Sequence, residues 1–324
     1  MSRKYDLSIL IPSRNEEFLK NTVEDILKNR RGKTEIIVGL DGKWDDPKIP
    51  NHKDVVVFYA PEPLGQRGMT NALCKLSRAK YVAKCDAHVA FDEGFDIKLL
   101  QGFKDLGDNV TQVPAMYNLH CFDWKCMKCG KRTYQGRTPI KCEDCDNVRE
   151  FKKRIVWKPR LERKTEFWAF DPQLKFQYWN EYKKRPEFTG QYVETMSLLG
   201  AFFCLTREKY WELNICDEKH GSWGAQGSEV CFKTWLSGMR LITNRNTWYS
   251  HMFRTQGGDF GFPYPLSQGA VDRSRKYLND IWLNNSFEKQ ILPLSWLVEK
   301  FWPVKGWTDE DLKKLQELGK NFKK

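Results

Sequence analysis

The chain has 324 residues, 40% of them hydrophobic, and carries a formal charge of +12, with 54 Lys and Arg against 42 Asp and Glu. That length suits one large α/β domain, or one domain with an inserted module and a tail, and the charge favours polyanionic partners: nucleic acid, an anionic membrane face or nucleotide phosphates. No run of about 18 apolar residues occurs, so no membrane span is expected, and MSRKYDLSILIPSRNEE has too short an apolar run and no small-residue cleavage site for a signal peptide.

LSILIP (7–12) is a continuous apolar run, the mark of a buried parallel strand. Leu19, Val23, Ile26 and Leu27 then recur at helical spacing. EIIVGL (35–40) predicts a second strand ending in Asp41-Gly42, and VVVFYA (55–60) a third. LGQRGMTNALCKLSRA (64–79) starts with glycines and becomes helical, and YVAKCDAHV reads as a fourth strand. Alternating strands and helices predict a doubly wound, mostly parallel sheet, whose ligands gather at the carboxyl ends of the strands. Asp41, Asp86 and His88 all fall there. Asp and His at i and i+2 on extended backbone point to opposite faces. They meet on one ion only if the strand has ended and turned, and a carboxylate with an imidazole then suits Mn²⁺ or a similar divalent ion.

Composition shifts over 121–165, where Lys and Arg number 14 against 6 Asp and Glu. Inside it, Cys126-x2-Cys129-x12-Cys142-x2-Cys145 has the spacing of a tetrathiolate Zn²⁺ site, with the Gly that such knuckles favour in CMKCGKR. Two disulfides would use the same four residues. The other six cysteines, scattered mostly through apolar runs, look like free buried thiols of a reducing compartment, so a cytoplasmic location is expected. A four-sulfur site leaves no position for water, so this zinc is read as structural, folding a segment too polar to bury its own core. Its basic arms, KCGKR, VREFKKR and WKPRLERK, either hold phosphates or are solvated lysines on a stapled insertion.

Residues 166–193 are rich in aromatics, from Phe167 and Trp168 to Phe188 and Tyr192, which could stack on bases or cap a peptide. SLLGAFFCLT (197–206) resumes a strand pattern. SEVCFKTWLSGMRLI (228–242) predicts a helix stopped at Gly238 and then a strand. The tail is mainly helical, with Thr308 as the N-cap of DEDLKKLQELGKNFKK. Four parts follow: 1–120, 121–165 as the zinc-ribbon insertion, 166–268, and a helical tail over 269–324.

Five segments in this order, ILIPSRNEE, EIIVGLDG, GQRGMTNAL with CDAH, GAFFCLTREKYWELNICDEKHGSWGAQGSE and WYSHMFR, resemble the nucleotide-sugar glycosyltransferases of the GT-A fold, family 2 in the broad sense. Within them the motifs are similar to the polypeptide N-acetylgalactosaminyltransferases and their phage and bacterial relatives. The resemblance implies metal-dependent transfer of a sugar from a UDP-sugar to a hydroxyl. It implies that Asp86, His88 and His251 hold Mn²⁺ or Mg²⁺. Asp41 would read the base, while Pro12, Arg14 and Glu16 would line the nucleoside pocket. Arg67 and Arg254 would face the diphosphate or sugar, Gly200 and Ala201 would pass close to the sugar, and Trp223 would sit in a loop closing on the donor. One departure stands out. The relatives place an acid just after the Trp-Gly stretch, and here Gln226 stands there, leaving Glu229 as the nearby acid. Either Glu229 serves as general base in an inverting reaction, or the leaving phosphate takes the proton in a retaining one.

Charge, compartment and the phage resemblance together point to DNA bearing hydroxymethylated pyrimidines as acceptor. A protein, peptide or glycan acceptor is the alternative within the same class. An inactive transferase domain carrying a zinc-stapled nucleic-acid-binding module is the alternative outside it.

Overall fold

The computed structural model describes residues 4–43, 48–255, 257–320 and 322. Strands β1 (Leu7–Ser13), β2 (Thr34–Asp41), β3 (Val55–Ala60) and β4 (Tyr81–Cys85) form a parallel set, with α1 (Leu19–Asn29) and α2 (Gly65–Leu76) between them in sequence. All eight residues of β2 are buried. This is why its sequence is apolar without alternation: helices cover both faces. Leu7 sits opposite Thr34 on one side and Tyr81 on the other, which brings the carboxyl ends of β1, β2 and β4 level.

After β5 (Val89–Phe91) and α3 (Phe95–Leu106), β6 (Val110–Cys126) runs for 17 residues through the sheet and beyond its edge. There β7 (Arg132–Tyr134) and β8 (Phe151–Thr165) pair with it, β8 from Met116 onward, so the segment with the four cysteines is a three-stranded extension of a core strand. Trp157, at φ 53°, sits where the β6–β8 register slips between His120 and Phe122.

The chain returns through β9 (Trp168–Phe170), β10 (Phe176–Tyr178), β11 (Tyr192–Glu194), β12 (Phe202–Thr206), α4 (Arg207–Glu212), α5 (Gln226–Leu236) and β13 (Arg240–His251). The main sheet has the order β11-β13-β6-β12-β4-β1-β2-β3; β12 is antiparallel to β4, and β13 is parallel to β6. Helices α6 (Gln268–Trp282), α7 (Leu294–Lys300) and α8 (Asp309–Gly319) complete the chain. Thr308 caps α8 in a reciprocal capping box with Asp311.

Two expectations change. The strand predicted over 197–206 begins only at Phe202, because 198–201 bends along the cavity described below. Most of the aromatic stretch proposed to stack on bases is core: Phe167, Trp168, Phe170, Trp179, Tyr182 and Phe188 are buried, while Tyr178 is exposed and Phe176 and Tyr192 are half-buried. Tyr182 stacks on Trp179 and packs against Phe301, the residue just past α7, and Trp307 donates from Nε1 to the Phe170 carbonyl at 2.7 Å. These rings fasten the helical tail to the domain. Each contributes about 1.5–3 kcal/mol through its buried area, which is why they point inward.

Candidate active site

β4 ends at Cys85 and the chain bends over residues 86–88 before β5 begins. The bend breaks the strand alternation and turns Asp86 and His88 to the same side. β13 pairs antiparallel with β5, His251 opposite Val89, and so delivers the second imidazole. Nε2 of His251 lies 3.0 Å from Nε2 of His88 and 3.2 Å from Oδ2 of Asp86. Neighbouring ligands of an ion bound at about 2.1 Å stand about 3 Å apart, so the three atoms fit one coordination sphere.

The surroundings tune these ligands. Glu16 Oε2 is 3.0 Å from Nδ1 of His88, which fixes that nitrogen as the N–H and leaves Nε2 its lone pair. Both Glu16 oxygens also accept from Arg254 Nη2, at 2.7 and 2.8 Å. Burial pushes the Glu16 carboxyl up, but His88 and Arg254 together outweigh it and bring it down to about 2. Burial likewise pushes Asp86 up, and the buried Lys84 ammonium on its Oδ1, with His251, holds it well below the usual carboxylate range. Lys84 donates as well to the Gly200 carbonyl at 2.7 Å, tying β4 to the 198–201 bend. Burial lowers His251 to about 4, so its imidazole is neutral at pH 7, as a ligand must be.

A cavity of about 680 Å³ opens in front of this cluster. Of the residues expected to act, Pro12, Arg14, Glu16, Asp41, Asp86, His88, Gly200, Ala201, Trp223, Gln226, His251 and Arg254 line it. Trp223 meets Phe262 edge-on at 5.3 Å, and Arg254 keeps a buried Nε–H that has no partner among the described residues. Asp41 already accepts from the backbone N–H groups of Leu64 and Gly65 at 2.6 and 3.1 Å, which anchors the start of α2 as well as facing the cavity.

Arg67 and Glu229 are not brought into the cavity. Both side chains are fully buried and bonded to each other, Arg67 Nε to Glu229 Oε2 at 2.7 Å. Glu229 also accepts from Lys233 Nζ at 2.6 Å and from the Asp217 N–H at 2.8 Å. Burial raises it, but the two cations dominate and bring it to about 2. The expected roles therefore do not fit. Glu229 is too weak a base and out of reach of an acceptor, and Arg67 spends its guanidinium on Glu229 and on the Gly224 carbonyl at 2.7 Å. Glu16 is likewise not simply a nucleoside contact, since both its oxygens are committed to His88 and Arg254. Lys84 went unnoticed at the sequence level, although a lysine inside an apolar strand was its signal.

The four cysteines of the insertion also converge, their sulfurs all within 4.8 Å of one another. Cys126 and Cys145 Sγ are 3.7 Å apart, and Cys129 and Cys142 Sγ 3.5 Å. A tetrahedron of sulfurs at about 2.3 Å from zinc has edges of about 3.8 Å, whereas disulfide sulfurs lie about 2.05 Å apart. The spacing fits zinc and not two disulfides. Cys142→Ser, with one thiolate gone, is expected to purify with less than about a tenth of the zinc of the unaltered protein, read by elemental analysis.

The family model for glycosyl transferase family 2 matches residues 8–195, more than half of the chain. The chain belongs to glycosyl transferase family 2. Among curated family relatives, it is 22% identical to polypeptide N-acetylgalactosaminyltransferase 3 of Drosophila melanogaster over 169 residues, 42% of this chain and 25% of that protein. It is 26% identical to N-acetylgalactosaminyltransferase 7 of Homo sapiens over 88 residues, 26% of this chain and 13% of that one. The chain thus spans a quarter or less of the length of these two relatives. The crystal structure of GalNAc-T7 with UDP, GalNAc and Mn²⁺ superposes with a TM-score of 0.61 at 15% identity, covering 97% of this chain and 54% of that one. S. aureus TarS 1-349 in complex with UDP-GlcNAc gives a TM-score of 0.52 at 13% identity, over 88% and 68%. The GT-A fold of the family is therefore this chain's fold.

Proposed function

We propose that this family 2 chain transfers a glycosyl group from a UDP-sugar to a hydroxyl, using a divalent ion held by Asp86, His88 and His251. The observation that carries the reading is the convergence of those three ligand atoms at the mouth of a nucleotide-sized cavity. Relatives crystallised with UDP or a UDP-sugar support the donor class. The ion, Mn²⁺ or Mg²⁺, supplies positive charge to a departing diphosphate.

The chain's own residues do the rest. Glu16 holds His88 in one tautomer and Arg254 in one place at the cavity wall. Lys84 keeps Asp86 ionised and pins the Gly200 carbonyl, which sets the 198–201 bend where the sugar would lie. Gly227 lets α5 approach that bend: a Cβ there would come 2.2 Å from the Leu198 carbonyl oxygen.

The acids lining the cavity, among the described residues, are Glu16, Asp41 and Asp86, and each is already engaged. With Gln226 where relatives keep an acid and Glu229 sealed in the core, no carboxylate is available as base. Attack from the leaving-group face then fits best. The acceptor oxygen bonds to the anomeric carbon, the bond from that carbon to the diphosphate breaks, and the acceptor proton passes to the leaving phosphate oxygen, with retention of configuration.

For the acceptor, DNA bearing hydroxymethylated pyrimidines draws its support chiefly from charge, since most of the aromatic stretch is core: Lys152, Arg154, Lys158 and Arg163 stand exposed along β8. A peptide hydroxyl is the second reading, favoured by the names of the relatives. Labelled UDP-sugars with Mn²⁺ should be offered with hydroxymethylated DNA, unmodified DNA and Ser/Thr peptides. Label on hydroxymethylated DNA alone is the expected result, and label confined to peptide rejects the DNA acceptor. No donor turnover with any acceptor or with water rejects the transferase reading.

A further inference from the structure

The zinc insertion sits remote from the proposed chemistry in sequence, yet it touches the segment that carries it. The loop between Cys129 and Cys142 is fastened to β6 by its own residues. Gln135, buried, accepts from the Cys121 N–H at 2.6 Å and donates to the Leu119 carbonyl at 3.2 Å, and Trp124 Nε1 donates to the Gly136 carbonyl at 3.0 Å. Two residues on, Thr138 reaches across 121 residues of sequence to Asp259. Its N–H donates to Oδ1 at 2.9 Å and its hydroxyl to Oδ2 at 2.6 Å, a two-pronged grip on one carboxylate.

Asp259 belongs to the turn that follows Arg254. Gly257 and Gly258 both take positive φ there, 68° and 62°, and a Cβ on Gly258 would come 3.0 Å from the Cβ of Arg137. The neighbouring Phe260 is buried against Phe122 of β6 with ring centroids 5.6 Å apart, and the Arg254 guanidinium lies 5.2 Å from the Phe260 ring. Arg254 in turn holds Glu16, and Glu16 holds His88. On the other side of the turn, Phe262 and Tyr264 line the cavity, and Asn15 donates to the Pro263 carbonyl at 2.6 Å. A continuous set of contacts therefore runs from the zinc-bound loop through Thr138, Asp259, Phe260 and Arg254 to a ligand of the catalytic ion.

We propose that the zinc ribbon is a strut of the donor site: Thr138 and Asp259 form a latch that positions Arg254 and the 262–264 wall for the nucleotide diphosphate. Thr138 and Asp259 are positioning residues and touch no substrate. The inference rests on the transferase reading for its ligand, not for its geometry. Zinc contributes by holding the loop ends at Cys129 and Cys142, so that the latch is presented at a fixed height above β6.

The test uses the full chain and UDP with Mn²⁺, binding measured by calorimetry. Asp259→Ala and Thr138→Val are expected to weaken UDP about fivefold and twofold respectively, since the first removes both hydrogen bonds to a charged group and the second only one. Asp259→Ala should keep its zinc and raise KM for a hydrolysed UDP-sugar more than it lowers kcat; Asp259→Asn, which can still accept from the Thr138 N–H, should recover most of the loss. In a Cys142→Ser background, Asp259→Ala should weaken UDP little further, because the strut is already gone. UDP affinity and KM within 1.5-fold of the unaltered protein for Asp259→Ala, with its zinc in place, overturn the proposal. If the unaltered protein binds no UDP, the transferase reading fails by itself. The latch is then judged by amide hydrogen exchange over 257–266, which Asp259→Ala must accelerate at least about tenfold for the strut to stand.

Discussion

Asp86→Asn is expected to remove donor turnover, lowering kcat/KM for UDP-sugar hydrolysis by on the order of 10³-fold or more. The substitution keeps shape and removes one negative charge from the middle of the cluster. Three losses coincide. The ion loses its only anionic ligand among the three, the leaving diphosphate loses the positive charge that ion would bring, and the buried Lys84 ammonium keeps only the Gly200 carbonyl and a neutral amide. Lys84 is no substitute for the ion, because its side chain is buried on Asp86 and the Gly200 carbonyl and does not line the cavity. Mn²⁺ binding, followed by electron paramagnetic resonance, should weaken in parallel. A variant that binds Mn²⁺ and turns donor over as the unaltered protein does would show that the cluster is not the metal site, and the proposed chemistry would go with it. Removal of the catalytic ion by a chelator should reproduce the effect reversibly, with Mn²⁺ restoring turnover.

How much of this could be read from the sequence depended on the range of each interaction. The parallel strands were legible because burial on both faces demands uninterrupted apolar runs, as in LSILIP and EIIVGL, and their short length and β-branched content separate them from buried helix. The Asp86 and His88 pair was legible as a feature of a strand end, but its spacing alone fits an ordinary loop as well, and the resemblance to a family marked it as a metal pair. His251 is 163 residues from His88, and nothing local marks it; only resemblance to a family brought it in. The aromatic stretch failed for a physical reason: composition gives the amount of ring area in 166–193 but not the face it turns to. The tail of the chain, which covers those rings, lies more than a hundred residues downstream. Arg67 and Glu229 failed in the same way. Each is charged and sits in a matched motif, so each looked like a group for substrate, while the structure pairs them with each other in the core.

That buried pair sets the second large expectation. Glu229 neutralises two cations at once, Arg67 at 2.7 Å and Lys233 at 2.6 Å, all three side chains sealed from solvent. Breaking a buried pair costs about 3–5 kcal/mol because the abandoned charge stays behind without water. Glu229→Gln leaves two like charges facing each other, so it should lie at the upper end, lowering Tm by roughly 6–10 °C. Arg67→Met leaves Glu229 with Lys233 and should destabilise less. The two substitutions should rank oppositely in function. Arg67 Nη2 holds the Gly224 carbonyl, and Gln66 N–H holds that of Ser222 at 2.9 Å, which together fix the loop bearing Trp223 at the cavity. Arg67→Met, which removes the hold on the Gly224 carbonyl that Glu229→Gln leaves in place, should therefore weaken UDP binding more than Glu229→Gln does, measured by calorimetry. The pH dependence has a definite sign. A carboxyl held at about 2, against an ordinary 4.5, contributes stability that is complete above 4.5 and is lost as pH falls from there toward 2. Glu229→Gln should show no such contribution, so its acid unfolding curve should be flatter across that window. A curve as steep as that of the unaltered protein would mean that Glu229 is not the ionised centre of this cluster.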